Sequence, residues 1–212
     1  MFSNTRFWKL RDDVLRNAPT VLESNSLNPG FLLVMPRNLE VKAKIASSES
    51  ARELAESLHA KYAGTLHQTD TYFGVTHGRL KLREIDGAHA ELISYDREES
   101  STRRDSRFEL FTVQNPSKLK SLLEASCGIR GIVEKTRILY LMDETTRIHL
   151  DEVKNLGSFV EFEVPVSNDA EAAEQLESLI KQFGIGSGDF LRNSYIDLLL
   201  ERIGSAPTKN GK

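Results

Sequence analysis

The chain has a single cysteine, Cys127, among its 212 residues. That excludes an internal disulfide and any cysteine-rich zinc site, and it suits a reducing compartment. An excess of one charge is missing too. The 28 Lys and Arg face 31 Asp and Glu, leaving a formal net charge of −3. A protein that grips a nucleic-acid duplex through bulk positive charge is not expected from such a balance. No apolar run approaches the roughly 20 residues of a membrane-spanning helix, so no membrane partner is expected. The signature loops of several enzyme classes are also missing. The sequence has no Gly-rich Walker loop, no Gly-x-Ser-x-Gly and no His-Glu-x-x-His. The length suits one domain with a real core. These absences leave a chain rich in charge yet nearly neutral, expected in the cytoplasm.

Composition divides the chain into three parts. Residues 1–36 read as an N-terminal extension and linker. Arg6, Lys9, Arg11 and Arg16 are mixed there with Phe2, Phe7, Trp8 and Leu10, and an Asn28-Pro29-Gly30 turn follows. A mitochondrial leader is the alternative reading of this segment, but Asp12 and Asp13 count against it because presequences are poor in acid. Residues 37–203 carry the regular patterns of a folded domain. Residues 204–212 are a polar tail, expected to be disordered.

Within the domain the pattern alternates between period two and helical spacing. Strand-like runs begin at Leu39, Thr65, Gly78, Ala90, Arg107, Ile129, Thr146 and Ser158. Helical segments are predicted over 47–64, 115–128, 167–184 and 193–204, with Ser or Asn able to cap their starts and Gly64, Gly128 and Gly184 as stops. Short links between successive strands imply antiparallel neighbours. The fold class is therefore α+β, with about eight strands and helices interspersed, rather than the βαβ alternation of a parallel sheet.

The parity of the strands is the informative feature. Residues two apart share a face. Glu40, Lys42 and Lys44 oppose Val41 and Ala43; Arg79, Lys81 and Arg83 oppose Leu80 and Leu82. Lys135 and Arg137 oppose Ile138. Arg147, His149 and Asp151 oppose Ile148 and Leu150, and Glu161 and Glu163 oppose Val160 and Phe162. Adding Arg97, nine basic and four acidic residues fall on one side of the sheet. One reading is an ordinary amphipathic sheet with a wet charged face. The other is a curled sheet whose charged face lines an enclosed passage. Cations and grouped carboxylates would converge there on a polyanion, a pairing that phosphoryl chemistry uses. His149 is expected to position Asp151, and Cys127 to be a small buried residue.

Several motifs along residues 36–199 resemble those of the CYTH family, the triphosphate tunnel metalloenzymes that include class IV adenylate cyclases and thiamine triphosphatases. They are Glu40-x-x-x-Lys44, Arg79-Leu-Lys-Leu-Arg83, Ala90-Glu-Leu-Ile-Ser-Tyr-Asp-Arg97 and Glu134-Lys-x-Arg137 with Tyr140. The longest is Ile148-His-Leu-Asp-Glu-Val-x-x-Leu-Gly-x-Phe-Val-Glu-Phe-Glu163, and Ser194-Tyr-x-x-Leu-Leu199 comes last. The resemblance implies an eight-stranded antiparallel β tunnel, a closed barrel with helices packed outside. It also implies a triphosphate-containing small molecule as partner and Mg2+ or Mn2+ as cofactor. Lys42, Lys44, Lys81, Arg83, Lys135 and Arg137 would bind phosphate. Glu161, Glu163 and Asp151 would hold the metal, and Glu40 and Asp151 would be catalytic. The chain departs from the family pattern in three places: the family's first strand reads Glu-x-Glu-x-Lys and the middle acid is here Lys42, Tyr95 stands where several relatives carry a lysine in the fourth strand, and Arg192 replaces the proline usual before the final Ser-Tyr.

Three functions are compatible with these residues. The first is a metal-dependent phosphohydrolase acting on an inorganic or organic triphosphate. The second is an adenylate cyclase of class IV type. The third is a module that binds polyphosphate or a phosphorylated ligand without catalysis.

Overall fold

The computed structural model describes residues 38–96, 104, 105, 107–143 and 145–204. The N-terminal extension, the polar tail from 205 and Arg97 lie outside these residues. The strands are β1 (Asn38–Lys44), β2 (Lys61–Phe73), β3 (Arg79–Ile85), β4 (His89–Asp96), β5 (Arg104–Asp105), β6 (Arg107–Thr112), β7 (Ile129–Leu141), β8 (Arg147–Val153) and β9 (Gly157–Pro165). The helices are α1 (Ser48–Ser57), α2 (Pro116–Cys127), α3 (Asp169–Gln182) and α4 (Tyr195–Gly204). All the strands join one antiparallel sheet in the order β5-β1-β9-β8-β7-β2-β3-β4-β6. The α+β reading therefore holds.

Two expectations about the elements need correction. The first helix stops at Ser57 rather than near Gly64, because His59 turns into the left-handed region with φ 63° and ends the run. The residues after it enter β2, whose pairing with β7 shifts register between Tyr62 and Gly64. Gly64 thus marks an irregularity in a strand, not a helix stop. Second, the sheet has nine strands, because the loop ahead of β6 contributes the two-residue β5, paired with Leu39 and Glu40 of β1. The pairing order runs from β5 to β6, and among the described residues no ladder joins those two ends, so the ladders alone do not close the expected barrel.

The helices start where short polar side chains satisfy their first free N–H groups. Ser47 accepts from Ser50 N, Asn115 from Lys118 N, and Asn168 from Ala170 N and Glu171 N. Helices α1 and α3 cover the apolar face of the sheet. Val41, Ala43, Ile148, Leu150, Val160, Phe162 and Val164 pack there with Ala51, Ala55, Ala172, Leu176 and Leu179. Phe162 meets Phe183 edge-on at 5.0 Å between centroids. Cys127, the last residue of α2, packs beside Phe73 and Leu82 but is only half-buried, because it sits at the helix end, rather than buried as expected.

Helix α4 does not join them. Its Tyr195, Ile196 and Leu199 pack on Tyr72, Val133, Val153 and Phe159. Those strand residues pair directly with, or alternate with, Lys81, Lys135, Asp151 and Arg137, so they lie on the charged face. The expected placement of all helices outside the sheet thus fails for α4, which seals one end of the charged face. The segment before it is fixed to β1: Lys44 N donates to Asp189 O, Leu191 N donates to Lys42 O, and Ala43 forms a bridge with Phe190. Close approach is possible because β7 has a glycine under the helix. A Cβ on Gly131 would overlap Ile196 Cδ1. Gly131→Val is therefore expected to lower stability by about 1–3 kcal/mol through overpacking, read as a fall of several degrees in thermal unfolding. An unchanged melting temperature would mean that α4 is not seated there.

Candidate phosphate site

The charged face of the sheet is largely shielded from water. Lys42, Arg79, Lys81, Lys135, Arg137, Asp70, Glu91, His149, Asp151 and Glu161 are all buried, none more than 9% exposed. A charged face excluded from water to that degree must be enclosed and internally paired, since an unpartnered buried charge costs several kcal/mol. The simple amphipathic sheet is thereby ruled out.

The register sets the order of the charges. Directly opposed residues of an antiparallel pair share a face. Glu40 opposes Glu163, which opposes Arg147; Lys42 opposes Glu161, which opposes His149. Arg137 opposes Asp151, and Asp70 opposes Arg83, which opposes Glu91 on the next strand. The result is two connected clusters. In the first, Arg137 reaches Asp151 through Nε at 2.6 Å and Nη2 at 2.7 Å, and the same Nη2 donates to Glu161 Oε2 at 2.6 Å. Lys135 Nζ lies 3.0 Å from Asp151 Oδ2, and Lys42 Nζ 3.3 Å from Glu161 Oε1. Tyr195 Oη donates to Asp151 Oδ2 at 3.0 Å, and its ring lies beneath Lys42 Nζ at 4.3 Å. In the second cluster Arg83 grips both oxygens of Asp70 at 2.7 Å, and Lys81 Nζ adds a contact at 2.9 Å.

Electrostatics follow from this packing. Burial alone would favour the neutral acids, but Arg137 and Lys135 hold Asp151 below its ordinary range. Arg83 and Lys81 do the same for Asp70. Glu161 is held down against burial by Lys42, by its hydrogen bond with Glu40 and by Arg137. Glu163 falls to about 2, burial being outweighed by Arg147 and His149. Glu40 goes the other way, up to about 8, through burial and then through the charge of Glu161 and a hydrogen bond to it. Burial and the neighbouring arginines lower Lys81 to about 8 and Lys135 to about 7. His149 drops to about 3, through burial and Arg137, and is therefore neutral.

Most residues expected from the sequence converge: Lys42, Lys81, Arg83, Lys135, Arg137, Glu40, Asp151, Glu161 and Glu163 all sit on this face. Lys44 continues the face of β1 but is exposed, outside the buried network. His149 does not turn to Asp151 as expected. Its Nδ1 points toward Glu163 Oε1 at 3.4 Å without making a hydrogen bond. Three participants were missed. Asp70 anchors the second cluster, Tyr195 caps the first, and Asp197 holds Arg79 at 2.9 Å. For Asp70 a signal exists, because its parity in β2 matches Gln68 and Tyr72 and the hairpin register opposes it to Arg83. Tyr195 lies in a motif quoted from the sequence, yet nothing local says that its helix turns inward.

The metal ligands expected from the sequence were Asp151, Glu161 and Glu163. Here Asp151 is paired with Arg137, Lys135 and Tyr195, Glu161 with Arg137 and Lys42, and Glu163 with Arg147 at 2.7 Å. Among the described residues, no group of three or more His, Cys, Asp or Glu is arranged to hold a metal ion. The donor set as it stands does not fit a resident divalent ion.

Comparison with known proteins agrees with this architecture. MJ0240 of Methanocaldococcus jannaschii, a proposed adenylate cyclase, is 24% identical over 173 residues, covering 76% of this chain and 97% of that protein. The PH1012 protein of Pyrococcus horikoshii OT3 superposes with a TM-score of 0.70 at 24% identity, covering 76% of this chain and 98% of its own. The Hippeastrum protein HpAC1, a proposed adenylyl cyclase described as revealing a dominant triphosphatase activity, superposes at 0.58 with 19% identity, covering 80% and 96%. The family model described as CYTH domain matches residues 36–195, most of the chain, and this protein belongs to the CYTH family.

Proposed function

We propose that the protein is a phosphohydrolase that takes the triphosphate group of a small molecule, inorganic or organic, onto the buried charged face. The observation that carries this reading is the convergence of Lys42, Lys81, Lys135 and Arg137 on one face at 9% exposure or less, with Arg83 beside them at 16% side-chain exposure. Each is fixed by a carboxylate whose place a phosphoryl oxygen can take. Burial strengthens every such contact, because no water competes for the donors. Members of the family act as triphosphatases or cyclases, and the activity described for HpAC1 favours hydrolysis.

Closure of the sheet into a tunnel is part of this proposal. Strand β5 pairs with β1 and β6 with β4, and only residue 106 separates β5 from β6, so the two ends of the pairing order are almost continuous in the chain. The low exposure of the charged face supports a ring closed there, with α4 across one end.

The roles of the residues follow from their contacts. Arg137 and Lys135 receive phosphoryl oxygens, and Asp151 aims both cations rather than touching the reacting atoms. Arg83 and Lys81, aimed by Asp70, receive a second phosphoryl group. Glu40, protonated at neutral pH, shares its proton with Glu161 and orients the attacking water through that pair. The family is in general metal-dependent. Mg2+ or Mn2+ is the implied ion, but the paired carboxylates of this site do not fit one.

The test is incubation of the purified protein with tripolyphosphate, ATP or thiamine triphosphate, with Mg2+, with Mn2+ and with EDTA, following phosphate, pyrophosphate and cyclic AMP. Phosphate release is expected. Cyclic AMP as the main product would replace hydrolysis by cyclisation, and tight tripolyphosphate binding without turnover would leave a binding module.

A further inference from the structure

We propose that Lys42 takes the place of a divalent metal ion in the phosphate site, so that the free protein binds a triphosphate group with no metal present. The inference rests on the triphosphate reading above and adds a statement about how its charge is balanced.

Position comes first. Lys42 is the middle residue of Glu40-x-Lys42-x-Lys44 on β1, directly opposite Glu161 and one row from the Glu40–Glu163 pair. Three carboxyl groups thus lie around it on β1 and β9. Lys42 is 7% exposed, and its ammonium lies 3.3 Å from Glu161 Oε1 and 4.3 Å from the centre of the Tyr195 ring. The carboxylate and the electron-rich ring face together compensate the burial of this charge. The cation is therefore seated by contacts from β9 and α4, not merely accommodated.

The charge balance comes second. A carboxylate at position 42 would stand beside Glu40, Glu161 and Glu163 and would call for a cation of charge +2 to hold the group together. Carboxylate plus divalent ion sum to −1 + 2 = +1. The lysine ammonium is +1 by itself. Lys42 thus gives the site the same net charge toward a polyanion while removing both the ligand and the ion. The surrounding acids agree with this, since Glu161 already accepts from Arg137 and Asp151 is filled by Arg137, Lys135 and Tyr195. An ammonium is a hydrogen-bond donor and point charge, not a Lewis acid. What Lys42 replaces is the binding role of a metal.

Calorimetric titration of the full chain with tripolyphosphate, in EDTA and then in Mg2+, tests the idea, with correction for the Mg2+–tripolyphosphate complex in solution. Wild-type affinity is expected to change by less than about threefold between the two conditions. In EDTA, Lys42→Glu is expected to weaken binding by about 100-fold, the equivalent of roughly 2.7 kcal/mol, and Mg2+ to restore most of it. Electron paramagnetic resonance of Mn2+ should show immobilised ion with Lys42→Glu and none with wild type. Lys42→Met, milder for folding, should weaken binding about tenfold in both conditions without gaining Mn2+. Wild-type binding that collapses in EDTA, wild-type capture of Mn2+, or a Lys42→Met protein that binds as wild type overturns the inference and leaves the triphosphate reading standing. Absence of tripolyphosphate binding under every condition overturns both.

Discussion

Replacing Arg137 with methionine is expected to cost about 3–5 kcal/mol of stability and to lower triphosphate turnover by about two to three orders of magnitude. The guanidinium makes three short contacts, two to Asp151 and one to Glu161, at 7% exposure. Methionine fills a similar volume but leaves both carboxylates short of a partner in a buried setting. Asp151 would keep Lys135 and Tyr195, and Glu161 would keep Lys42 and Glu40. The cost is thus mostly the stranding of anions, and a double-mutant cycle isolates it. Arg137→Met with Asp151→Leu should recover much of the lost stability because the anion is removed with its partner, while binding stays lost. Arg137→Lys should fold better than the methionine variant yet still bind poorly, since one ammonium cannot bridge Asp151 and Glu161 as a fork does. Urea denaturation and tripolyphosphate titration read the two effects separately. A methionine variant within 1 kcal/mol of wild type would mean that the network adds little to the fold.

The charged face was legible because parity is a local property. Alternation of Glu40, Lys42 and Lys44, or of Lys81 and Arg83, requires no knowledge of which strand lies beside which. The pairing of β1 with β9 does require it, and these strands are far apart in sequence. Parity alone therefore placed Glu161 and Lys42 on a common side without bringing them to 3.3 Å. Asp70 was hidden by its neighbours: the inner face of β2 also carries Leu66, Gln68 and Tyr72, so no charged alternation marks it. Apolar members of that face, such as Val133 and Phe159, have no distinguishing pattern either, and their role is to seat α4. Helix α4 is amphipathic from sequence, but amphipathicity does not say which side of a two-faced sheet it covers. The misplaced end of α1 has a comparable cause. Apolar spacing continues past Ser57, and only the backbone reversal at His59 separates helix from strand.

Glu40→Gln is expected to change the pH dependence of stability strongly between pH 4.5 and 8. Glu40 titrates at about 8 in the folded chain, against an ordinary value of 4.5, raised by burial and by Glu161. The folded state therefore holds a proton that the unfolded state has lost throughout that window. Its stabilising contribution is fully present below 4.5 and falls as pH rises, by up to about 1.4 kcal/mol per pH unit, until it is gone above 8. Other groups act in the opposite sense. His149, lowered to about 3 from 6.5, adds stability as pH rises between those values. Lys135 and Lys81, lowered to about 7 and 8 from 10.5, do so on the alkaline side. Asp70, Asp151, Glu161 and Glu163, all held low, act only as pH falls below the ordinary carboxylate range. Wild type alone can thus show a nearly flat profile, and the difference from the variant isolates Glu40. Glutamine keeps a donor toward Glu161 and cannot ionise, so the two proteins should match at pH 5 and the variant should be several kcal/mol more stable at pH 8.5. Urea denaturation across that range measures it. A difference that does not vary with pH would mean that Glu40 is ionised beside Glu161, and the shared proton assigned to orienting the attacking water would have to be abandoned.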